Sequence, residues 1–346
     1  MTASRARLSA ATCFSVLAAC SSNSTLGVPT NSASGVATVT LASGEHVVSA
    51  GARMIRFGGA ARNATNTLGW ISLTTKNKAL LYGSSYDGGF INIYDEKGKY
   101  QHPIGQLTNG LTSPQGIAVD TRHRLWVANT NAFDVVAFKR GATAPFATLR
   151  DPGYYPVSVA VDLHGTVYAA NSQGASGEPG NVTFWKSGAS NPSGTLAFSK
   201  FNIIFGLGID ARDDVYVSYI PSKGGPELVV FPSGSHDGRQ ISIVDASASD
   251  IVFDSSANLV MAEIYGGLAV WAPPYSGLPL RKLPIYGSEP VLDAAETGIW
   301  AANGDKATHA VDGYDYNRGY LFDTIPRGFS SSAPPYGVAV DPPAKL

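Results

Sequence analysis

An all-β chain folded as a six-bladed β-propeller, closed into a ring by its own C-terminal strand, is the architecture the sequence predicts, on three observations. A short apolar run ending in a carboxylate recurs six times: Pro114-Gln-Gly-Ile-Ala-Val-Asp120, Pro156-Val-Ser-Val-Ala-Val-Asp162, Ile204-Phe-Gly-Leu-Gly-Ile-Asp210, Ala248-Ser-Asp-Ile-Val-Phe-Asp254, Pro290-Val-Leu-Asp-Ala-Ala-Glu296 and Pro335-Tyr-Gly-Val-Ala-Val-Asp341. The copies return every 42 to 48 residues, the period of one four-stranded blade. Composition agrees, since 38 Gly, 21 Pro and 16 Tyr with only 15% charged side chains suit short strands joined by tight turns. Finally, the last copy has no strands behind it.

In chain order, residues 1–19 have the form of an export signal: Arg5 and Arg7, then a mostly apolar stretch from Leu8 to Ala19, too short to span a bilayer. Leu17-Ala18-Ala19-Cys20 resembles the lipobox of bacterial lipoproteins. The resemblance implies cleavage before Cys20 and lipidation of its thiol. The other cysteine, Cys13, lies in the segment that would be removed, so the mature chain has no intramolecular disulfide. Several acyl chains at about 0.8 kcal/mol per buried methylene hold a protein on a membrane. Ser21 after the cysteine resembles lipoproteins passed to an outer membrane where the host has one. The expected location is therefore the extracytoplasmic side of the cell envelope, lipid-anchored.

Residues 20–67, rich in Ser, Thr, Ala, Gly and Asn, are expected to form a flexible tether. Its arginines, Arg53, Arg56 and Arg62, are read as a solvated surface. The propeller is expected over 68–346. Each unit has an inner strand, a turn opened by the carboxylate, a second strand, a variable loop and two outer strands. Second strands end at Ser84, Asn129, Asn171, Tyr219, Glu263 and Asn303. Third strands are expected at Ile91–Tyr94, Val135–Phe138, Val182–Phe184, Leu228–Phe231, Leu268–Trp271 and Tyr320–Phe322. Before Leu80 stands a poor inner strand, Trp70 to Lys78, without the Pro and Asp markers. Tyr336 to Val340 is therefore expected to close the ring as the inner strand of the blade at about 80–107. A seven-bladed ring would instead need Trp70 to Leu73 as an inner strand.

The Pro-x-Gly-Ile-Ala-Val-Asp strand followed by Leu125-Trp-Val-Ala-Asn129 resembles the NHL-repeat class of propellers over about four-fifths of the chain. With the lipobox and tether, the chain also looks like a class of exported bacterial lipoproteins. The resemblance implies architecture more than activity, since the fold hosts lactonases, lyases and binding platforms.

The six recurring carboxylates invite a metal or acid/base role, but their position assigns them to turns, where a short acid accepts backbone N–H groups. The opposite face is the candidate binding surface. There the second strands end in residues that differ between blades: Ser84, Asn129, Asn171, Tyr219, Glu263 and Asn303. The same face is expected to carry the loops Ser172 to Asn181, Ile220 to Glu227 and Gly304 to Gly319, the last with Tyr314 and Tyr316, and aromatics Tyr154, Tyr155, Phe205, Tyr286 and Tyr336 near inner-strand entrances. The leading expectation is a non-enzymatic module, monomeric and without cofactor, that binds a protein, peptide or glycan. The alternative is a hydrolase or lyase of the gluconolactonase kind, with calcium or magnesium on Glu263, Asn129, Asn171 and Asn303. The six histidines are scattered, so zinc chemistry is not implied. A formal charge of −1, from 25 basic and 26 acidic residues, offers no field for a nucleic acid.

Overall fold

The computed structural model describes residues 30–31, 36–40, 45–50, 53–58, 69–98, 102–262, 267–304 and 308–344. Signal region, Cys20 and Glu263 lie outside them. Six blades of antiparallel strands form the propeller, and the expected fold class holds. Blade 2 is representative: Pro114–Val119, Arg124–Asn129, Asp134–Lys139 and Pro145–Arg150 run in order from axis to rim. Its inner three strands are almost wholly buried, because neighbouring blades cover both faces of each sheet. One core cluster joins Leu80, Tyr82, Ile91 and Ile93 of blade 1 to Ile117, Leu125, Val127 and Phe138 of blade 2. This two-sided burial is why the strands read as continuous apolar runs rather than alternating ones.

Ring closure follows expectation. Val338–Asp341 pairs antiparallel with Leu80–Ser85, with Val338 opposite Gly83 and Asp341 opposite Leu80. Ser84 Oγ accepts the Gly337 N–H at 2.8 Å and donates to the Gln115 carbonyl at 2.5 Å, tying the closing strand to blade 2. Trp70–Ile71 is not an inner strand. It pairs with Gly105 and Gln106 at the rim, as a fifth strand of blade 1. Chain segments from both ends thus meet in one sheet, and the seven-bladed alternative falls.

The turn carboxylates recur with nearly constant geometry. One side-chain oxygen accepts the N–H groups two and four residues on: Asp120 from Arg122 and Arg124, Asp162 from His164 and Thr166, Asp210 from Arg212 and Asp214, Asp254 from Ser256 and Asn258. In blade 6 the residue in this role is Asp293, bonded by Ala295 and Thr297. This corrects the repeat, which pointed to Glu296. Glu296 instead accepts from the Ser255 N–H at 2.7 Å and its hydroxyl at 2.6 Å, across to blade 5. Asp341 has no following turn to hold. Buried, it pairs with Arg140 and His123, and Arg140 also donates to the Lys78 carbonyl.

Two expectations along the chain change. In blade 6 the third strand is Ala310–Asp315, within the supposed loop, and Leu321–Ile325 is the fourth. Its apolar signal is interrupted by Asp312 and Gly313. The glycine is needed there, since a Cβ would stand 2.7 Å from the Trp300 ring. Second, the described part of 20–67 folds. Thr30–Asn31, Val36–Thr40, Glu45–Ala50 and Arg53–Gly58 form a four-stranded meander. Its Val48, Ile55 and Phe57 are buried against Val157, Ile203, Phe205 and Ala248, at the entrances of inner strands, and Ile220, at the end of a second strand. The alternating Val/Ile/Phe pattern therefore has a core to bury, unlike a tether.

Candidate functional site

The recurring asparagines at second-strand ends are built into their own hairpins. Asn129 Oδ1 accepts the Thr112 and Ser113 N–H groups at 2.8 and 3.1 Å, while its amide donates to Gly110 O and to Asp134, its cross-strand partner. Asn171 donates to Asp151, Asn181 and Thr183. Tyr219 donates to Glu227 at 2.5 Å, and Asn303 donates to Asp312 at 2.5 Å and to Tyr286 O. Ser84 serves the closing strand. All five side chains are buried.

Tyr314 lies in a core cluster and donates to Asp312, and Tyr316 donates to Asp254 at 2.9 Å beside the turn carboxylates, on the opposite face. Burial raises the phenols of Tyr219, Tyr314 and Tyr316, with neighbouring carboxylates adding to it. Burial also lifts Asp134 and Asp151 to about 6, although hydrogen bonds from Asn129 and from Asn171 and Thr183 oppose the shift. The three asparagines proposed as cation ligands therefore turn toward separate hairpins rather than one centre. Among the described residues no three His, Cys, Asp or Glu side chains are placed to hold a metal, and Glu263, the carboxylate of the expected cation set, lies outside them.

The same face holds a different site, where the N-terminal meander meets the channel mouth. Gln115 faces the backbone of Arg56 with both ends of its amide: Nε2 donates to Arg56 O at 2.6 Å and Oε1 accepts the Arg56 N–H at 3.4 Å. A primary amide placed this way mimics the peptide groups of a neighbouring strand. Gln115 is oriented by Thr130, whose hydroxyl accepts from Nε2 at 2.8 Å and donates to Pro156 O at 2.7 Å. Two residues on, Asn131 Oδ1 accepts the Gly58 N–H at 3.1 Å, and its amide donates to Tyr86 Oη at 2.8 Å.

The Arg56 side chain, 8% exposed, donates from Nη1 to both oxygens of Asp87 at 2.7 and 2.8 Å. Charge-assisted contacts of this kind are about twice as strong as neutral ones. Phe57 stacks on His46 of its own sheet at 5.3 Å and lies 5.4 Å from the Tyr155 ring of blade 3. Arg56 is thus a buried anchor, not part of the solvated surface expected for it.

Below the mouth neighbouring inner strands pack closely at two glycines. A Cβ on Gly337 would fall 2.3 Å from Gln115 O and from Glu289 Oε2, and one on Gly206 would fall 2.3 Å from Asp250 Oδ1. Asp250 and Glu289 are both buried at this level of the ring.

Gln115, Asp87, Thr130 and Asn131 were not singled out by the sequence. A signal existed for Gln115, which occupies the position in the inner-strand repeat where other blades carry Val157, Phe205, Ser249 or Tyr336. Asp87 and Asn131 lie in hairpin turns, where Asp and Asn are common for local reasons.

No protein-family model matches the chain, and no curated protein sequence does. Among solved structures, a chain of the nidogen/laminin complex is similar at TM-score 0.61 and 15% identity, over 76% of this chain and 98% of that one. A protein of unknown function from Bacteroides caccae is similar at TM-score 0.57 and 9% identity, over 76% and 99%. At these identities the likeness is one of fold, and it is the fold of a β-propeller.

Proposed function

We propose that this chain is a non-enzymatic binding module: a monomeric β-propeller, lipid-anchored through Cys20 on the extracytoplasmic side of the envelope, that binds a protein, peptide or glycan at the channel mouth. One observation carries the reading. Propeller side chains at the mouth grip an extended segment by its main chain and one buried arginine, which is how a peptide-binding surface works. The lipobox-like Leu17-Ala-Ala-Cys20 supports the anchor. That a complex of two proteins contains a chain of this fold accords with a protein-binding role.

The test is site-specific photo-crosslinking in cells that make the full chain. A benzophenone amino acid at Tyr286, half-exposed beside the mouth, is compared with one at Leu163, exposed on the turn-carboxylate face. Adducts with envelope components are expected from position 286 and not from 163. Equal yields, or none, would overturn the reading. The Cys20→Ser chain is expected to leave the membrane fraction, and its retention there would refute the anchor.

A further inference from the structure

We infer that Arg53–Gly58 is a self-ligand, and that the mouth's external partner is an extended peptide segment of another protein carrying an arginine followed by an aromatic residue. The inference rests on the binding-module reading and narrows it to a ligand class. The chemistry comes from the grip itself. Gln115 reads a main-chain N–H and C=O, so it selects extended backbone without regard to side chain. Selectivity then falls on Asp87, whose two oxygens receive one guanidinium nitrogen. Asn131 takes the N–H two residues further on, and the face of Tyr155 accepts a ring between these points.

Four contacts with this spacing describe a site for three residues, Arg-aromatic-x, in extended form. The supports of the grip, Thr130 on Pro156 O and Asn131 on Tyr86, come from the propeller, with Tyr86 also bonded to Glu45 of the meander. Gln115, held by Thr130 on Pro156 O, would therefore keep its orientation when the segment leaves. Being covalently attached, the internal copy competes at an effective concentration in the millimolar range. It would suppress weak ligands and admit one that engages the site better.

The experiment uses the detergent-solubilised full chain and a blocked peptide, Arg-Met-Ile-Arg-Phe-Gly, with a second peptide in which the second arginine is alanine. Saturable binding of the first peptide is expected, at least tenfold weaker for the second. Arg56→Ala in the chain should tighten binding of the first peptide tenfold or more, by weakening the internal competitor. Asp87→Asn added to that variant should reverse the gain. Hydrogen exchange supplies a readout without any variant: saturating peptide should speed exchange at the amides of Arg56 and Gly58 while those of Ile93 and Val127 stay protected.

No binding to either chain, binding indifferent to the peptide arginine, or unchanged exchange at Arg56 and Gly58 would each overturn the inference. If position 286 still cross-links to an envelope component while the peptides fail, only the self-ligand inference falls. If both fail, the binding-module reading falls with it.

Discussion

Asp151 lies 3% exposed beneath Asn171 and Thr183, and its carboxyl is pushed up to about 6 by burial. Its folded-state value therefore exceeds the unfolded one, near 3.9. Below about pH 4 the proton is bound in both states and the residue costs nothing extra; as pH rises through 6, the folded protein must hold a buried charge and loses stability. Asp151→Asn is expected to raise stability at pH 7.5 by about 3 kcal/mol and to leave it nearly unchanged at pH 4. Urea midpoints at the two pH values check this, and an equal effect at both would refute it. Asn171 shows the same economy of purpose: a polar strand end, conspicuous in sequence as a possible ligand, serves a buried network that only packing reveals.

At the scale of the strand and turn, the carboxylate that matters is the one whose side chain reaches the amides two and four residues on. Asp293 does so in blade 6, and it also accepts from Thr297 Oγ1 and Gly298 N. Asp293→Ala is expected to cost about 1 kcal/mol, because it removes four hydrogen bonds of the turn, the one from the Gly298 N–H part-buried. Glu296→Asn, which keeps a residue tolerant of the positive φ of 55° found there, should cost under about 0.5 kcal/mol, since its bonds to Ser255 are exposed. Equilibrium unfolding of both variants tests the corrected register, and a larger loss from Glu296 would restore the original one. The repeat misled here because Pro290 and a later acid fit the pattern three residues out of phase. The hydrogen-bond spacing that distinguishes them is not visible in residue type.

The whole ring depends on a joint between the chain's two ends. Asp341, buried on the closing strand, meets Arg140 of blade 2, which also holds the Lys78 carbonyl ahead of blade 1. Arg140→Ala leaves a buried carboxylate without its guanidinium and is expected to cost about 3 kcal/mol. Asp341→Asn in the same chain should recover most of that loss. Thermal unfolding checks both, and an additive double variant would show that the pair is not coupled.

Architecture was legible because it is written in periodicity: apolar inner strands, turn acids and an orphan closing strand recur at blade spacing, and local chemistry alone produces those marks. The N-terminal meander was not legible. Its Ser- and Gly-rich composition reads as a tether, and its few apolar residues acquire a core only when the inner-strand entrances of blades 3, 4 and 5 are brought beneath them. The mouth site was hidden for a related reason. Gln115, Asp87, Asn131 and Arg56 are far apart in the chain and individually ordinary, and their meaning lies in distances between them. By itself the sequence determined how many blades there are and how the ring closes. Which residues face one another across the mouth was decided only by the tertiary structure, because recognition depends on side chains converging from several blades and no periodic signal encodes that convergence.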